Sequence, residues 1–348
     1  MMKRIEFHNR EKEIKKIRSI LYAEPSLITF IYGPINSGKT TLISHLIEEL
    51  PETYTPFYIN LRTKFLSSYD EFIESLFEME METEGTKRKR KETLAELVSS
   101  VTKVAGIPIN KEFLDYVFKD NKPKNAFSYI IKLFEEVKSA GKQPVLILDE
   151  LQKIGDVKVN GFLIYELFNF FIDLTKEKHL AHIFVMTSDS LFIEQIYSEA
   201  MLEDRCRYLL VDDFDEETTT AFLEEYGFSD DEMAVAWKYC GGKPICLVEL
   251  VNMEEDRKGK AEEMLKIRKG QLEEIVYSLE ARDKGMFDAV MGILSEFIGT
   301  EKVGYKYISD EIKFLVGKNI IFADSVNKEL RAQSRLNLLA IREVMENV

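Results

Sequence analysis

The stretch that most constrains this chain is residues 27–41, Leu-Ile-Thr-Phe-Ile-Tyr-Gly-Pro-Ile-Asn-Ser-Gly-Lys-Thr-Thr. Six β-favouring residues, Leu27 to Tyr32, run straight into Gly33. Gly33 and Gly38 bracket a tight loop of Pro34, Ile35, Asn36 and Ser37, and Lys39-Thr40-Thr41 opens a helical run from Leu42 to Leu50. Strand, G-x-x-x-x-G-K-[ST] loop and helix in that order form a phosphate cradle. The glycines let the backbone curl so that N–H groups converge on phosphate oxygens, and the helix adds its positive N-terminal end. Lys39 is placed to reach the β- and γ-phosphates, and the Thr40 hydroxyl to ligate Mg²⁺. The expected ligand is therefore a nucleoside triphosphate with Mg²⁺.

A second acidic element suits the same chemistry. Residues 144–150, Pro-Val-Leu-Ile-Leu-Asp-Glu, read as a strand with a continuous apolar run, as expected when helices cover both sheet faces. It ends in two carboxylates. Downstream of a phosphate loop, Asp149 would hold the Mg²⁺ shell and Glu150 would polarise an attacking water. Further strands are expected at 54–61, 183–186 and 209–211, with a first helix carrying Ile14, Ile17, Ile20 and Leu21 at helical spacing and others at 42–50, 127–137 and 162–174. Asn9 is a suitable N-cap for the first helix. Residues 68–137 read as mostly helical and irregular. Thr187-Ser188-Asp189-Ser190 ends the fourth strand; its hydroxyls either sense a γ-phosphate or cap the helix that follows.

The alternation of strand and helix stops at Asp212. Residues 215–252 read as three short acidic helices broken at Gly227-Phe228 and Gly241-Gly242-Lys243-Pro244. Residues 253–283 read as charged helix, with Lys258-Gly259-Lys260 as the expected linker point. The remainder reads as helices at 286–297 and 308–316, a hairpin of 320–323 and 330–332, and a last helix at 335–346. Helices with a β-hairpin are the winged-helix arrangement. The fold class expected is α/β, a parallel sheet core (residues 1–211), then a helical lid (212–275) and a winged helix (276–348).

A chain of 348 residues with 45% apolar and 31% charged residues is a globular protein of two or three domains. No window carries the ~18 apolar residues of a membrane span. The charged N-terminus does not read as a signal peptide. Three cysteines without C-x-x-C spacing read as reduced thiols, which points to the cytoplasm. The net charge of −14 argues against a surface built for phosphate backbones. Two stretches oppose the trend: Lys87–Lys91, and residues 302–342 with eight Lys/Arg against four Asp/Glu.

With those residues in place, the sequence resembles the archaeal ATPase family of P-loop NTPases, of AAA+/STAND type, over nearly its whole length. Phe7-His8-Asn9-Arg10-Glu11 resembles the family's N-terminal box, which implies that Asn9 and Arg10 lie near the adenine. Gly33–Thr40 and Leu148-Asp149-Glu150 match its two nucleotide motifs. Thr187-Ser188 falls where the family places a phosphate-sensing residue, often Asn, and Thr187 and Ser188 are both candidates for that role. Arg205 resembles the arginine that follows. Gly241-Gly242-Lys243-Pro244 resembles the lid motif that packs against the nucleotide, which places Pro244 beside it. The family often has an arginine near that motif; here Lys243 is the nearby cation. The resemblance implies ATP or ADP with Mg²⁺ as the ligand, and three functions remain open from sequence: a switch driven by ATP hydrolysis that engages a protein partner, a DNA-directed ATPase whose winged helix contacts duplex, and a scaffold that holds ATP or ADP permanently.

Overall fold

The computed structural model describes residues 5–64, 66, 68–79, 104–109, 116–117, 123–154, 163–199, 202–253 and 255–346. The basic run Lys87–Lys91 lies outside them. In chain order the first half runs α1 (Glu11–Tyr22), β1 (Ile28–Tyr32), α2 (Lys39–Glu49), β2 (Tyr54–Asn60), α3 (Tyr69–Leu76), β3 (Phe77–Met79), β4 (Val104–Ala105) and β5 (Ile107–Ile109). It continues with α4 (Pro123–Ser139), β6 (Gln143–Asp149), α5 (Leu163–Ile172), β7 (His182–Thr187), α6 (Ser190–Glu199) and β8 (Cys206–Leu210).

The main sheet has the order β4-β2-β6-β7-β1-β8, with every pairing parallel. Because strand side chains alternate, β1 feeds two cores. Ile28, Phe30 and Tyr32 face a cluster with Phe57, Phe134 and Phe168, while Ile31 faces Ile17, Leu42, Ile43 and Leu46 of α1 and α2. All five residues of β1 are buried, as a doubly covered parallel sheet requires. The strand bearing the acid pair is therefore not next to β1: β7 lies between them, and its end carries Thr187 and Ser188.

Three short strands, β3, β4 and β5, lie inside the region read from sequence as helical. They are two or three residues long, too short to show a period. β4 extends the main sheet, and β3 pairs with β5. Gly106 separates β4 from β5 with φ 104°, and its N–H donates to Tyr58 O at 2.8 Å. Pro56 is accommodated because β4 pairs with β2 only from Phe57 onward. The strand expected at 209–211 is longer on its N-terminal side, since Cys206 to Leu210 stand opposite Ile28 to Tyr32.

The second half is α7 (Glu216–Glu225), α8 (Asp230–Cys240), α9 (Pro244–Val251), α10 (Arg257–Glu280), α11 (Lys284–Glu296), β9 (Lys302–Gly304), α12 (Asp310–Gly317), β10 (Ile321–Asp324), β11 (Glu329–Ala332) and α13 (Arg335–Met345). One apolar cluster runs through it, from Phe222 and Leu223 to Ile341 and Val344. The hairpin β10–β11 forms as expected, and β9, absent from the sequence reading, adds a third antiparallel strand beside β11. Lys258-Gly259-Lys260 is not a linker but the first turn of α10. Asp256 caps that helix by accepting from Gly259 N at 3.0 Å. A Cβ on Gly259 would stand 2.2 Å from Asp256 Oδ2, so the glycine leaves space for the cap. No helix among the described residues is long and apolar enough to cross a membrane.

Candidate functional site

The parallel register brings the C-terminal ends of four strands level. Tyr32 stands opposite Thr187, Leu148 opposite Val185, and Asp149 opposite Asn60. In such sheets ligands sit at these ends, and the motif residues gather there.

The phosphate loop leaves β1 at Gly33, whose φ of 155° and closeness to Val211 exclude a side chain: a Cβ would lie 2.1 Å from the Val211 carbonyl oxygen. Asn36 (φ 58°) and Gly38 (φ 91°) complete the curl that aims the start of α2 inward. Within the loop, Ser37 Oγ is buried and has no hydrogen-bond partner among the described residues, which leaves an oriented polar atom for a ligand. Lys39 is buried, and its Nζ donates to Gly33 O at 3.0 Å and Pro34 O at 2.8 Å. Carbonyls hold an ammonium without neutralising it. Burial brings the Lys39 pKa down to about 8; Glu150 pulls it up and Lys243 pushes it down.

Asp149 is buried and receives the Thr40 hydroxyl at 2.9 Å and the Tyr58 hydroxyl at 2.8 Å, both on Oδ2. Burial raises its pKa, against those two bonds. A hydroxyl and a carboxylate in contact are hard oxygen donors of the kind Mg²⁺ takes, and Mg²⁺ sites need few protein ligands. Glu150 sits in the left-handed region at φ 61°, a conformation that costs a non-glycine residue about 1–3 kcal/mol. Its carboxylate is held by Arg62 at 2.7 Å, by Gln152 Nε2 at 2.5 Å and by Ser188 Oγ at 3.2 Å.

Thr187 and Ser188 take different positions. Thr187 is buried and turned to Gln152 Oε1 at 2.9 Å, whereas Ser188 lines the cleft and touches Glu150. Neither hydroxyl caps the following helix; Asp189 Oδ1 accepts from Leu191 N at 2.9 Å.

From the lid, Lys243 is 3% exposed and reaches the loop, donating to Ile35 O at 3.0 Å while pairing with Asp213 at 2.9 Å. Pro244, Ile245 and Val248 complete a cleft of about 270 Å³ with Asn36 to Thr41, Arg62, Glu150 and Ser188. The second glycine of the lid motif is obligatory: a Cβ on Gly242 would lie 1.7 Å from Phe214 O, in a backbone pair where Phe214 N donates to Gly242 O at 2.9 Å. Gly242→Ala is expected to cost about 1–3 kcal/mol, as overpacking does. A denaturant melt with an unshifted midpoint would contradict this.

Asn9 and Arg10 do not line the cleft. Arg10, not Asn9, is the N-cap residue of α1, at φ 97°, while Asn9 Oδ1 accepts the Arg10 N–H at 2.6 Å from one position earlier. Arg10 is buried behind the loop, donating to Ser37 O at 2.6 Å and standing over the Phe214 ring at 4.5 Å; Asn9 reaches Thr218 on α7 at 3.1 Å. The two residues tie loop to lid. Arg205 is not brought to the site. Its carbonyl accepts from Ile28 N at 3.0 Å, at the start of β1, so it lies at the opposite end of the sheet from Gly33. It cannot reach a phosphate on its own chain.

Arg62, Tyr58, Gln152 and Asp213 were not singled out from sequence. Arg62 follows the end of β2, and the adjacency of β2 to β6 was the missing information.

Comparison with known proteins agrees with this geometry. Residues 7–250 match the family described as "ATPase domain predominantly from Archaea", and residues 258–345 match the "MJ1010-like, C-terminal domain" of uncharacterized ATP-binding proteins. The chain is 48% identical to the "uncharacterized ATP-binding protein MJ1659" of Methanocaldococcus jannaschii, covering 100% of this chain and 99% of that one. It is 49% identical to another such protein, PYRAB09480 of Pyrococcus abyssi, covering 98% and 99%. In fold it is similar to a Walker-type ATPase of Pyrococcus abyssi (TM-score 0.64, 18% identity, 97% of this chain and 96% of that one). By its phosphate loop, its acid pair and these matches, the chain belongs to the archaeal family of P-loop ATPases.

Proposed function

We propose that this protein hydrolyses ATP with Mg²⁺ and uses the nucleotide cycle to move its lid and C-terminal region relative to the core, thereby engaging a protein partner. The observation that carries this reading is the convergence of Lys39, the Thr40–Asp149 pair and Glu150 on one cleft whose far side belongs to the lid. Lys39 attracts the terminal phosphates and Glu150 orients and polarises the attacking water. Ser188, touching Glu150, is suited to report whether a γ-phosphate is present. Mg²⁺ held by Thr40 and Asp149 would neutralise the charge that develops between β- and γ-phosphates. Lys243 joins lid to loop, so a phosphate that draws it away from Ile35 O also shifts α9. Turnover without a partner is expected to be slow, because Glu150 is tied by three donors. A cytoplasmic location fits the three free thiols, Cys206, Cys240 and Cys246.

The test is phosphate release by the full chain with Mg-ATP in the absence of DNA. Turnover that chelation of Mg²⁺ abolishes supports the switch. Nucleotide that survives purification and assay unhydrolysed would instead support a structural role.

The DNA-directed reading depends on the C-terminal region as a winged helix, with cations free on its hairpin. In this region α11, β9, α12, the hairpin and α13 follow one another, helices with a β-hairpin as that reading expects. Its cations, however, are engaged: Lys328 pairs with Glu194, Arg331 with Asp212 and Arg335 with Glu301. This favours the protein-partner reading. Wild-type protein is expected to show no sub-micromolar duplex binding at physiological salt, and neutralising Lys328, Arg331 and Arg335 together is expected to leave duplex binding as it was. If duplex does bind, and the triple change flattens the slope of log affinity against log salt by ~3 units, one per lost phosphate contact, the DNA reading prevails.

A further inference from the structure

The hairpin β10–β11 belongs to two cores at once. Ile321 and Ala323 point into the C-terminal cluster, and between them Phe322 packs into the core of the ATPase sheet. Phe322 stacks on Tyr32, the last residue of β1, with ring centroids 6.4 Å apart. Two residues on, Asp324 faces the same way and accepts the Tyr32 hydroxyl at 3.1 Å, in a position only 4% exposed. Burial and Asp324 both push the Tyr32 phenol pKa upward, so it remains a donor.

The hairpin also meets the ends of the two neighbouring strands. Ser325 Oγ donates to Ser190 O at 3.0 Å, two residues beyond Ser188. Arg331 stands over the Phe322 ring at 4.9 Å and pairs with Asp212, next to the Asp213 that holds Lys243. Lys328 and the Tyr305 hydroxyl both engage Glu194 of α6. The hairpin thus touches the segments that lead into the phosphate loop, the Ser188 turn and the lid.

Apart from Phe322, whose ring must leave the core of the sheet, its contacts are of a kind that can separate. Asp324 also accepts from Val326 N at 3.0 Å, Asn327 N at 3.1 Å and Asn327 Nδ2 at 2.8 Å. Lifting the hairpin off Tyr32 therefore leaves its carboxylate satisfied by its own turn, and the remaining ion pairs become solvated charges. Interfaces built this way within a chain allow domain motion by default.

We propose that the hairpin is a latch: docked on Tyr32, Ser190 and Asp212 it restrains ATP turnover, and its release raises the rate. The idea rests on the ATPase reading above. The test uses a pair that does not line the cleft, Lys328 and Glu194. Lys328→Glu sets a carboxylate against Glu194 and is expected to raise kcat roughly fivefold or more, the lower end of ordinary coupling between sites, with KM within about twofold of wild type. The swap Lys328→Glu with Glu194→Lys is expected to return kcat to the wild-type value. A single variant with unchanged kcat, or a swap that does not restore it, overturns the latch while wild-type turnover leaves the ATPase reading intact.

A second readout does not need turnover. Lys328→Glu is expected to speed amide exchange in residues 321–332 relative to wild type with no nucleotide present, because docking is what protects those amides. Exchange that the substitution leaves unmoved also overturns the latch. A non-hydrolysable ATP analogue that does not bind wild-type protein at all overturns the ATPase reading and the latch with it.

Discussion

Glu150→Gln is expected to bind ATP with wild-type affinity and to hydrolyse it at least about 10²-fold more slowly, the usual consequence of losing a general base. The substitution keeps the size of the side chain and an oxygen that can still accept from Arg62, 2.7 Å away. What it removes is the negative charge that polarises water. The fold should tolerate the change. Arg62 is about half exposed and resolvates readily, and Gln152 can turn its amide to satisfy the new NH₂ group. The strained backbone at φ 61° is unaffected, because glutamine and glutamate share the same backbone cost. Phosphate release measures the rate, and calorimetry measures affinity on the same protein. Full activity would make Glu150 a bystander and shift attention to Asp149, whose buried carboxylate is already committed to Thr40 and Tyr58.

The sequence carried the phosphate loop and the acid pair almost completely, and the reason is physical. Gly33, Gly38, Lys39 and Thr40 do their work through local backbone geometry, so their spacing along the chain is also their spacing in space. Glu150 and Asp149 needed one further fact, that parallel strands end level, and a continuous apolar run announced such a strand. Arg62 shows where this stops. It meets Glu150 across two strands 88 positions apart in sequence, and no local pattern encodes that adjacency. Arg205 shows the converse: it precedes its strand, and in a parallel sheet that places it at the end remote from the loop of its own chain, so of the two ways open to it, in cis or in trans, only the second is left. The charges of the hairpin were legible as a basic bias, but a count of charges does not show that Glu194, Asp212 and Glu301 already hold them. The strands β3, β4 and β5 escaped because elements of two or three residues carry no periodicity.

Lys39→Ala is expected to weaken ATP binding by about 2–4 kcal/mol, roughly 30- to 700-fold, the range for truncating one partner of a buried charge pair. The pH dependence makes this specific to the ammonium. Burial places the Lys39 pKa at about 8, so at pH 7 the loop presents a cation and affinity is at its plateau. Above pH 8 the free protein loses that proton, whereas phosphates that accept from Nζ raise the pKa of the bound state. Binding then takes up a proton, and affinity falls about tenfold per pH unit until the bound state also titrates. The sign follows from burial. A lysine exposed to water would titrate near its ordinary value of about 10.4 and leave affinity flat from pH 7 to 9. Calorimetry at pH 7 and pH 9 separates the cases: wild type should lose about tenfold, and Lys39→Ala should be weak and equal at both. A wild-type affinity that is the same at pH 7 and 9 would show that burial does not bring the Lys39 ammonium into this range, and the loss in Lys39→Ala then remains the measure of its part in binding.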